Sequence, residues 1–264
     1  MRTLARRGSL GLCALALVAC GGEPDAGPDG GAPDAAVDVD APLPDAPPPD
    51  AAPDAAVPPL PGFGAISGQC GVIDAAVLAA DQAVWFQGEL TFATRFVDPD
   101  DRAALTPGGL EVLLDDNAGG SSRYSEVFAF EWLARCELAA LLKTETEIVY
   151  DVAGKKADLL VELGGARVGV SVTRAVTFPF GSPFTPAAAT TLLQGKLDDL
   201  ALATTQVTAA DAWSEQLLAT LAYDAQHAQV LMDAWAALDP TTRRETILVV
   251  AVTSGDDLFI YTDQ

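Results

Sequence analysis

The run ADLLVELGGARVGVSVTRA, residues 157–175, carries the strongest secondary-structure signal in this chain. Apolar residues alternate along it on both sides of Gly164-Gly165. Alternation is typical of half-buried strands, and a Gly-Gly pair between two such runs is typical of a two-residue hairpin turn. The sequence therefore predicts a strand over Ala157–Leu163, a turn, and a second strand over Arg167–Arg174.

A two-residue turn also predicts the register of this hairpin. If Leu163 pairs with Ala166, then Asp158 falls opposite Ser171. Successive side chains of a strand point to opposite faces of a sheet. One face then carries Asp158, Leu160, Glu162, Gly169, Ser171 and Thr173, and the other is apolar: Leu159, Val161, Leu163, Val168, Val170 and Val172.

The sequence around the hairpin predicts helices on both sides of a sheet. Thr185 precedes Pro186, the pairing of N-cap and first-turn proline that starts a helix. From Ser121 the expected order is α-β-β-β-α-α-β-β, preceded by a β-leaning part in which Gln82–Phe96 forms a hairpin or strand pair. The expected elements are helix Tyr124–Lys143, strand Glu147–Val152, the hairpin, helix Pro186–Thr204, a long helical stretch Asp211–Leu238, and strands Thr246–Thr253 and Leu258–Thr262.

This order, with its residues, resembles the restriction-endonuclease-like fold of the PD-(D/E)XK nuclease superfamily. The resemblance implies an α/β (α+β) domain with a central mixed sheet flanked by helices. It also implies an active site with an Asp on the second strand, Glu-x-Lys on the third and often a Glu from the first helix. In that family the carboxylates hold Mg²⁺ and the lysine activates the attacking water.

The chain departs from that pattern on the third strand. Asp158 matches the family's Asp, but Ser171 stands where the family has Glu and Thr173 where it has Lys. The run Gly169-Val170-Ser171-Val172-Thr173-Arg174-Ala175 is similar to that of uncharacterised nuclease-like domains, some from protists, which carry GVSVTRA at this strand. That resemblance covers residues 121–254 and brings no known activity with it.

Two further residues are candidates for the site. Glu131 falls in the stripe of its helix that should face the sheet, where a carboxylate needs a partner or a metal. The alternative is a rim pair with Arg135 four residues on. Lys196 lies on the helix after the hairpin, and some superfamily members have moved the catalytic lysine there. Its alternative is a solvated pair with Asp199.

The chain begins with an export signal. Three arginines precede the 11-residue apolar segment Ser9–Ala19, which is shorter than the roughly 20 residues of a membrane span. Leu17-Val18-Ala19-Cys20 resembles the lipobox of bacterial lipoproteins. The resemblance implies cleavage after residue 19, acylation of Cys20 and anchoring in a bilayer, and Gly21 implies the outer membrane.

Residues 20–62 are predicted to form an extended tether. Pro-Asp-Ala recurs five times, and large apolar residues are almost absent. Such a segment cannot bury enough surface to form a core, and its prolines favour an extended chain of ~3 Å per residue. About 40 residues could then reach ~100 Å. The folded part, residues 63–264, divides into a β-leaning region at 63–120 and the nuclease-like core at 121–264.

Charge and composition exclude several classes of function. The chain has 37 acidic and 15 basic residues, a net charge of −22, of which −16 belongs to residues 63–264. This charge opposes non-specific nucleic-acid binding, which depends on Lys and Arg. Cys70 and Cys136 could form a disulfide or stay as two buried thiols. His227, expected in mid-helix on a partly exposed face, is the only histidine, so a four-ligand zinc site and a serine hydrolase are both disfavoured.

Three hypotheses follow. In the first, an anchored nuclease-like domain has lost catalysis and serves binding or scaffolding, with an unknown protein partner. In the second, it is a Mg²⁺-dependent phosphodiesterase that uses Asp158, Glu131 and a relocated Lys196. In the third, it is an unrelated structural or adhesive domain. Convergence of Asp158, Ser171, Glu131 and Lys196 in one cleft would separate the third hypothesis from the other two.

Overall fold

The computed structural model describes residues 58–80, 82–115 and 122–262. The predicted signal peptide, Cys20 and most of the predicted tether lie outside these residues. In chain order the elements are β1 (Ala65–Gly68), α1 (Ala75–Leu78), β2 (Val84–Phe92), a 3-10 turn (Arg102–Ala104), α2 (Pro107–Leu114), α3 (Arg123–Cys136), β3 (Ala140–Thr144), β4 (Leu159–Leu163), β5 (Ala166–Ala175), α4 (Pro186–Gln206), β6 (Glu215–Ala222), α5 (Ala225–Ala237), α6 (Pro240–Arg243), β7 (Ile247–Gly255) and α7 (Leu258–Thr262).

The strands form one mixed sheet in the order β1-β2-β7-β6-β5-β4-β3. The four strands β2, β7, β6 and β5 are parallel. At one edge β1 pairs antiparallel with β2, and at the other edge β4 and β3 continue the sheet as antiparallel strands. Parallel strands need crossovers, and α4 and α5 supply them between β5, β6 and β7. The predicted α/β class, with a central mixed sheet flanked by helices, is confirmed.

Two apolar cores lie on opposite faces of the sheet. On one face, side chains of β4, β5, β6 and β7 pack against α3 and α7, including Phe128 and Phe259. On the other face, alternate residues of β5, β6 and β7 pack against α4 and α5, including Leu197 and Leu231. On that face Leu160 of β4 belongs to a smaller cluster with the end of α4. Because β6 and β7 are covered on both faces, their sequences are nearly continuous apolar runs.

The predicted hairpin is confirmed. Gly164 and Gly165 take φ values of 57° and 84°, as the two central residues of a type I′ turn require. Leu163 pairs with Ala166, and Leu159 pairs with Val170. The same register places Asp158 opposite Ser171. The start of α4 is also confirmed, because the Thr185 side chain accepts from the backbone N–H of Ala188 and Pro186 is the first residue.

The predicted helix Tyr124–Lys143 is wrong at its end. The helix α3 stops at Cys136, and residues 140–144 form β3. Leu138 takes a left-handed backbone with φ 59°, which ends the helix. Cys136 forms a disulfide with Cys70, with 4.7 Å between the two Cα atoms. The Glu137 carboxylate accepts from the N–H groups of Gly71 and Ile73, so long-range contacts hold this corner.

The predicted helical stretch Asp211–Leu238 is also wrong. Glu215–Ala222 is strand β6, and only Ala225–Ala237 is helical. The strand is buried on both faces, so its apolar run carries no alternation to distinguish it from a helix. Asp224 separates the two elements and caps α5 by accepting from the N–H of His227. This places His227 in the first turn of α5, only 8% exposed, and not in mid-helix on a partly exposed face.

Three strand predictions also need correction. Residues 147–152 are not a strand, because the Glu147 carboxylate accepts from the Thr144 N–H at 3.1 Å and turns the chain just after β3. Leu258–Thr262 is the helix α7, whose Phe259 packs edge-on against Phe92. In the segment Gln82–Phe96 the structure has one strand, β2, because it pairs with β1 on one side and with β7 on the other.

Candidate functional site

Asp158 lies at the start of β4, where its carboxylate faces β5. Its backbone N–H donates to the carbonyl of Val170 at 2.9 Å, which continues the hairpin ladder by one residue. One carboxylate oxygen, Oδ2, accepts from the Ser171 hydroxyl at 3.0 Å and from the Val172 N–H at 2.5 Å. The hairpin register, which the Gly164-Gly165 turn sets, thus brings the predicted Asp158–Ser171 pair into direct contact.

The pKa of Asp158 is raised. Burial is the largest cause, because it disfavours the charged form of a carboxylate. The positive charge of Lys196 acts in the opposite direction, followed by the hydrogen bonds from Val172 and Ser171. The charge of Lys196 on α4 therefore acts on Asp158 and favours its ionised form.

Lys196 does not pair with Asp199, the alternative that its sequence spacing suggested. Asp199 instead forms a salt bridge with Lys155, with 2.8 Å between Nζ and Oδ2. Lys196 is partly buried and acts electrostatically on Asp158 and on Glu126. Its side chain therefore belongs to the surroundings of Asp158.

Glu126, in the first turn of α3, is a buried glutamate on which the charges of Asp158 and Lys196 act. It is 7% exposed, and burial raises its pKa from an ordinary 4.5 to about 7. The negative charges of Asp158 and Glu145 raise the pKa further, while a hydrogen bond with Ser122 and the charge of Lys196 lower it. We refer to Glu126, Asp158, Ser171 and Lys196 as the Asp158 cluster.

Glu131, the glutamate predicted for this role, lies in other surroundings. Its Oε1 accepts from the backbone N–H of Thr106 at 2.7 Å and from the Thr106 hydroxyl at 2.6 Å. Thr106 is the N-cap of α2, so Glu131 fastens α2 to α3. Burial raises the pKa of Glu131, and these bonds from Thr106 and the charge of Arg135 oppose the rise.

Arg135 is not the ion-pair partner that the alternative prediction gave to Glu131. Its guanidinium donates to three backbone carbonyls, those of Leu60, Phe63 and Gly64, at 2.7–3.0 Å. Sequence spacing did not separate Glu126 from Glu131 because α3 is buried on nearly every side. A helix with no polar face has no apolar stripe that singles out the residues facing the sheet.

Thr173 lies two residues beyond Ser171 on β5, as predicted, and is 8% exposed. It pairs across the sheet with Thr220 of β6. The position that carries lysine in the resembled family is thus a neutral hydroxyl between two strands.

Tyr150 supports the chain just before Asp158. Its hydroxyl oxygen accepts from the backbone N–H of Ala157 at 2.8 Å. Burial raises the pKa of Tyr150 to about 12, and the charges of Asp158 and Glu145 add to the rise. The sequence analysis did not single out this tyrosine, because it placed residue 150 in a predicted strand, whereas in the structure Tyr150 lies in the loop between β3 and β4.

The donor set for a metal ion is small. In the ranges 58–80, 82–115 and 122–262, no group of three or more His, Cys, Asp or Glu side chains is close enough to hold a metal ion. Asp158 and Glu126 are the two carboxylates of the Asp158 cluster that could take part. Mg²⁺ can bind through one or two carboxylates when waters and substrate supply the other ligands, so the fit is partial.

Within the same described residues, no helix is both long enough and apolar enough to cross a membrane.

Comparison with known proteins adds one similarity. The chain is 34% identical over 162 residues to the AAC-rich mRNA clone AAC4 protein of Dictyostelium discoideum. The match covers 59% of this chain and 24% of that protein, so the chain spans about a quarter of the length of its curated relative. No protein-family model and no solved structure matches the chain.

Proposed function

We propose that this chain is an exported lipoprotein, anchored through Cys20, that carries a nuclease-like domain in a non-catalytic binding role. The basic residues, the short apolar segment and the Leu-Val-Ala-Cys run support export and lipidation. The Pro-Asp-Ala repeats support a long tether between the bilayer and the folded domain. The most consistent location is the outer membrane.

The restriction-endonuclease-like assignment is supported by element order. The elements α3, β3, β4, β5, α4 and β6 form a helix, a three-stranded meander, a helix and a strand parallel to the third one. That is the core expected from the resemblance. Asp158 lies at the start of the second strand of the meander, where the resembled family has its aspartate.

The contact between Ser171 and Asp158 carries the proposal of a non-catalytic role. In the resembled family the third strand offers a second carboxylate to the metal, and here it offers a hydroxyl that donates to Asp158. The oxygen that accepts it also accepts from the Val172 N–H, so its lone pairs are engaged within the protein. The net charge of −22 further opposes a polyanionic substrate.

Cleavage assays test the non-catalytic role. We expect the full chain to leave labelled single- and double-stranded DNA and RNA intact in the presence of Mg²⁺ or Mn²⁺. The double variant Ser171→Glu, Thr173→Lys restores the Glu-x-Lys strand and should gain Mg²⁺ binding, measured by calorimetry. Metal-dependent cleavage by the wild-type chain that is lost in Asp158→Asn would contradict the proposal.

One observation favours a second candidate function, a Mg²⁺-dependent phosphodiesterase. Glu126, Asp158 and Lys196 come from three different elements, and Lys196 acts electrostatically on both carboxylates. In this mechanism Asp158 and Glu126 would hold the ion, which stabilises charge on the phosphate. Lys196 would orient the attacking water and favour the ionised form of both carboxylates.

Matched glutamate variants test this candidate. If the chain cleaves, Glu126→Gln and Lys196→Met should each lower the rate by about 100-fold or more. Glu131→Gln, a change of the same chemistry on the same helix, should leave the rate nearly unchanged. Equal loss in Glu126→Gln and Glu131→Gln would show that folding, and not chemistry, is affected.

The lipid anchor has its own test. Cells that express the chain with an alkyne-labelled fatty acid should yield labelled protein, and Cys20→Ser should abolish the label. Cys13→Ser, which changes a cysteine inside the apolar segment, is the control and should retain it.

A further inference from the structure

A pocket of about 320 Å³ lies beyond the carboxyl ends of the parallel strands β5 and β6. The chain leaving β5 returns over it through residues 181–184, and the turn after β6 forms its other wall. Ligands of α/β sheets bind preferentially outside the carboxyl ends of the strands. The lining residues are Gly181, Ser182, Pro183, Phe184, Tyr223, Asp224, Gln226 and His227. None of them belongs to the Asp158 cluster.

His227 is held rigidly in this pocket. Its Nδ1 lies 2.7 Å from Oδ1 of Asp224, and its ring stacks on Phe184 with the two planes 15° apart. A carboxylate oxygen of an ionised Asp224 can only accept, so Nδ1 carries a proton and Nε2 of the neutral ring is an acceptor. The side chain is 10% exposed, and Nε2 makes no hydrogen bond within the part of the chain that the structure describes.

Asp224 keeps its negative charge at the mouth of the pocket. Burial pushes the pKa of Asp224 upward, but hydrogen bonds from the backbone N–H and the ring of His227 outweigh it and hold the pKa below the ordinary value. The side chain is 47% exposed, so the second oxygen can reach a ligand. Neither lysine nor arginine is among the pocket's described lining residues.

An aromatic platform continues the pocket wall. Tyr223 meets the ring of His227 edge-on, with centroids 5.5 Å apart, and Phe180 stacks on Tyr223 at 5.4 Å. Phe178 packs against Phe180 and is 56% exposed. Partly exposed aromatic side chains beside a carboxylate form an environment that attracts an organic cation.

We propose that this pocket binds a small alkylammonium group. The ammonium would donate to Asp224 and to Nε2 of His227, while its alkyl part lies against the aromatic rings. The net charge of −16 that residues 63–264 carry raises the local concentration of cations around the domain. The pocket shares no residue with the Asp158 cluster, so binding there is independent of any activity at Asp158.

Titration of the full chain, followed by amide NMR, tests the proposal. The probes are n-butylammonium, as a free amine, and Nα-acetyl-lysine methylamide, as a peptide side chain. The neutral controls are 1-butanol and sorbitol. We expect at least one ammonium probe to bind with a Kd on the order of 1 mM, and to shift the signals of residues 181–184 and 223–227.

Two variants with the same change of charge complete the test. Asp224→Asn retains the helix cap but not the charge, and should weaken binding about tenfold or more. Asp233 also lies on α5, where its carboxylate accepts a hydrogen bond from Gln229. The Asp233→Asn variant should bind the ammonium probes as tightly as the wild-type chain does. If only the lysine amide binds, the site recognises lysine side chains of peptides. If both probes bind, it recognises the ammonium group itself.

Three results would overturn the proposal. The first is that neither ammonium probe, at about 10 mM, shifts the signals of residues 181–184 and 223–227 in the wild-type chain. The second is that Asp224→Asn and Asp233→Asn weaken binding equally. The third is that 1-butanol or sorbitol binds as tightly as the amines. The first result needs no variant, so a failure of Asp224→Asn to fold would not protect the proposal.

Discussion

Glu126 and Glu131 lie five residues apart on α3, and both are buried, yet they occupy opposite kinds of surroundings. Glu131 accepts two hydrogen bonds from Thr106 and fastens one helix to another. Glu126 has a hydrogen bond with Ser122, and the charges of Asp158, Glu145 and Lys196 act on it. Burial raises the pKa of both glutamates, but two donor groups of one residue tie Glu131 to a neighbouring helix, whereas several charged side chains act on Glu126. Several charged groups acting on one buried carboxylate are the stronger indication of a functional site.

The largest expected effect is the loss of Glu131. Glu131→Ala removes the acceptor of the Thr106 N–H and hydroxyl and leaves a cavity between α2 and α3. We expect the free energy of unfolding to fall by about 4 kcal/mol in urea denaturation. Glu131→Gln keeps one acceptor oxygen and should lower it by about 1 kcal/mol. Equal, small effects of both changes would contradict a structural role for Glu131.

Glu126 should make stability depend on pH. Because its pKa is about 7 in the folded protein and lower when unfolded, the folded state binds the extra proton. The stabilising contribution of Glu126 to the free energy of unfolding is then fully present below about pH 4.5. It is lost as pH rises through about 7, a change of about 3 kcal/mol. Glu126→Gln should remove this part of the slope, as measured by urea denaturation between pH 5 and 8.

The control for this slope is Glu162→Gln, which changes an exposed glutamate on β4. It should leave the pH dependence of stability as in wild type. An unchanged slope in Glu126→Gln would mean that Glu126 titrates in the folded protein as it does in water.

A smaller effect is expected from Lys196. Lys196→Met removes the charge that lowers the pKa of Glu126 and of Asp158, so both pKa values should rise further. Carbon NMR of the labelled carboxylates would follow both titrations. The control is Lys155→Met. This change breaks the salt bridge with Asp199, which lies on α4 as Lys196 does, and should leave the pKa of Glu126 unchanged.

The smallest effect is expected at Ser171. Ser171→Ala removes one of two donors to Asp158 Oδ2 while the Val172 N–H remains, so stability should fall by about 1 kcal/mol. Ser67→Ala removes an exposed hydroxyl that donates to Glu89 and should cost close to nothing. A Ser171→Ala variant as stable as Ser67→Ala would mean that the contact with Asp158 contributes little.

Much of the central hairpin could be predicted because its signals are local. A Gly-Gly turn and a period of two determine which residues pair, and these signals led to the Asp158–Ser171 contact. The strand β6 could not be predicted in the same way. Its apolar run is buried on both faces by partners far along the chain, and such a run has no period of its own.

The hairpin, its register, the start of α4 and the acidic charge follow from the amino-acid sequence alone, because each depends on neighbouring residues or on composition. Packing in three dimensions was needed to show which glutamate the charge of Asp158 acts on, where α3 ends, that Cys70 is bonded to Cys136, and that His227 lines a pocket. Those outcomes depend on packing between elements distant in sequence. Local propensity carries no information about which buried face meets which partner.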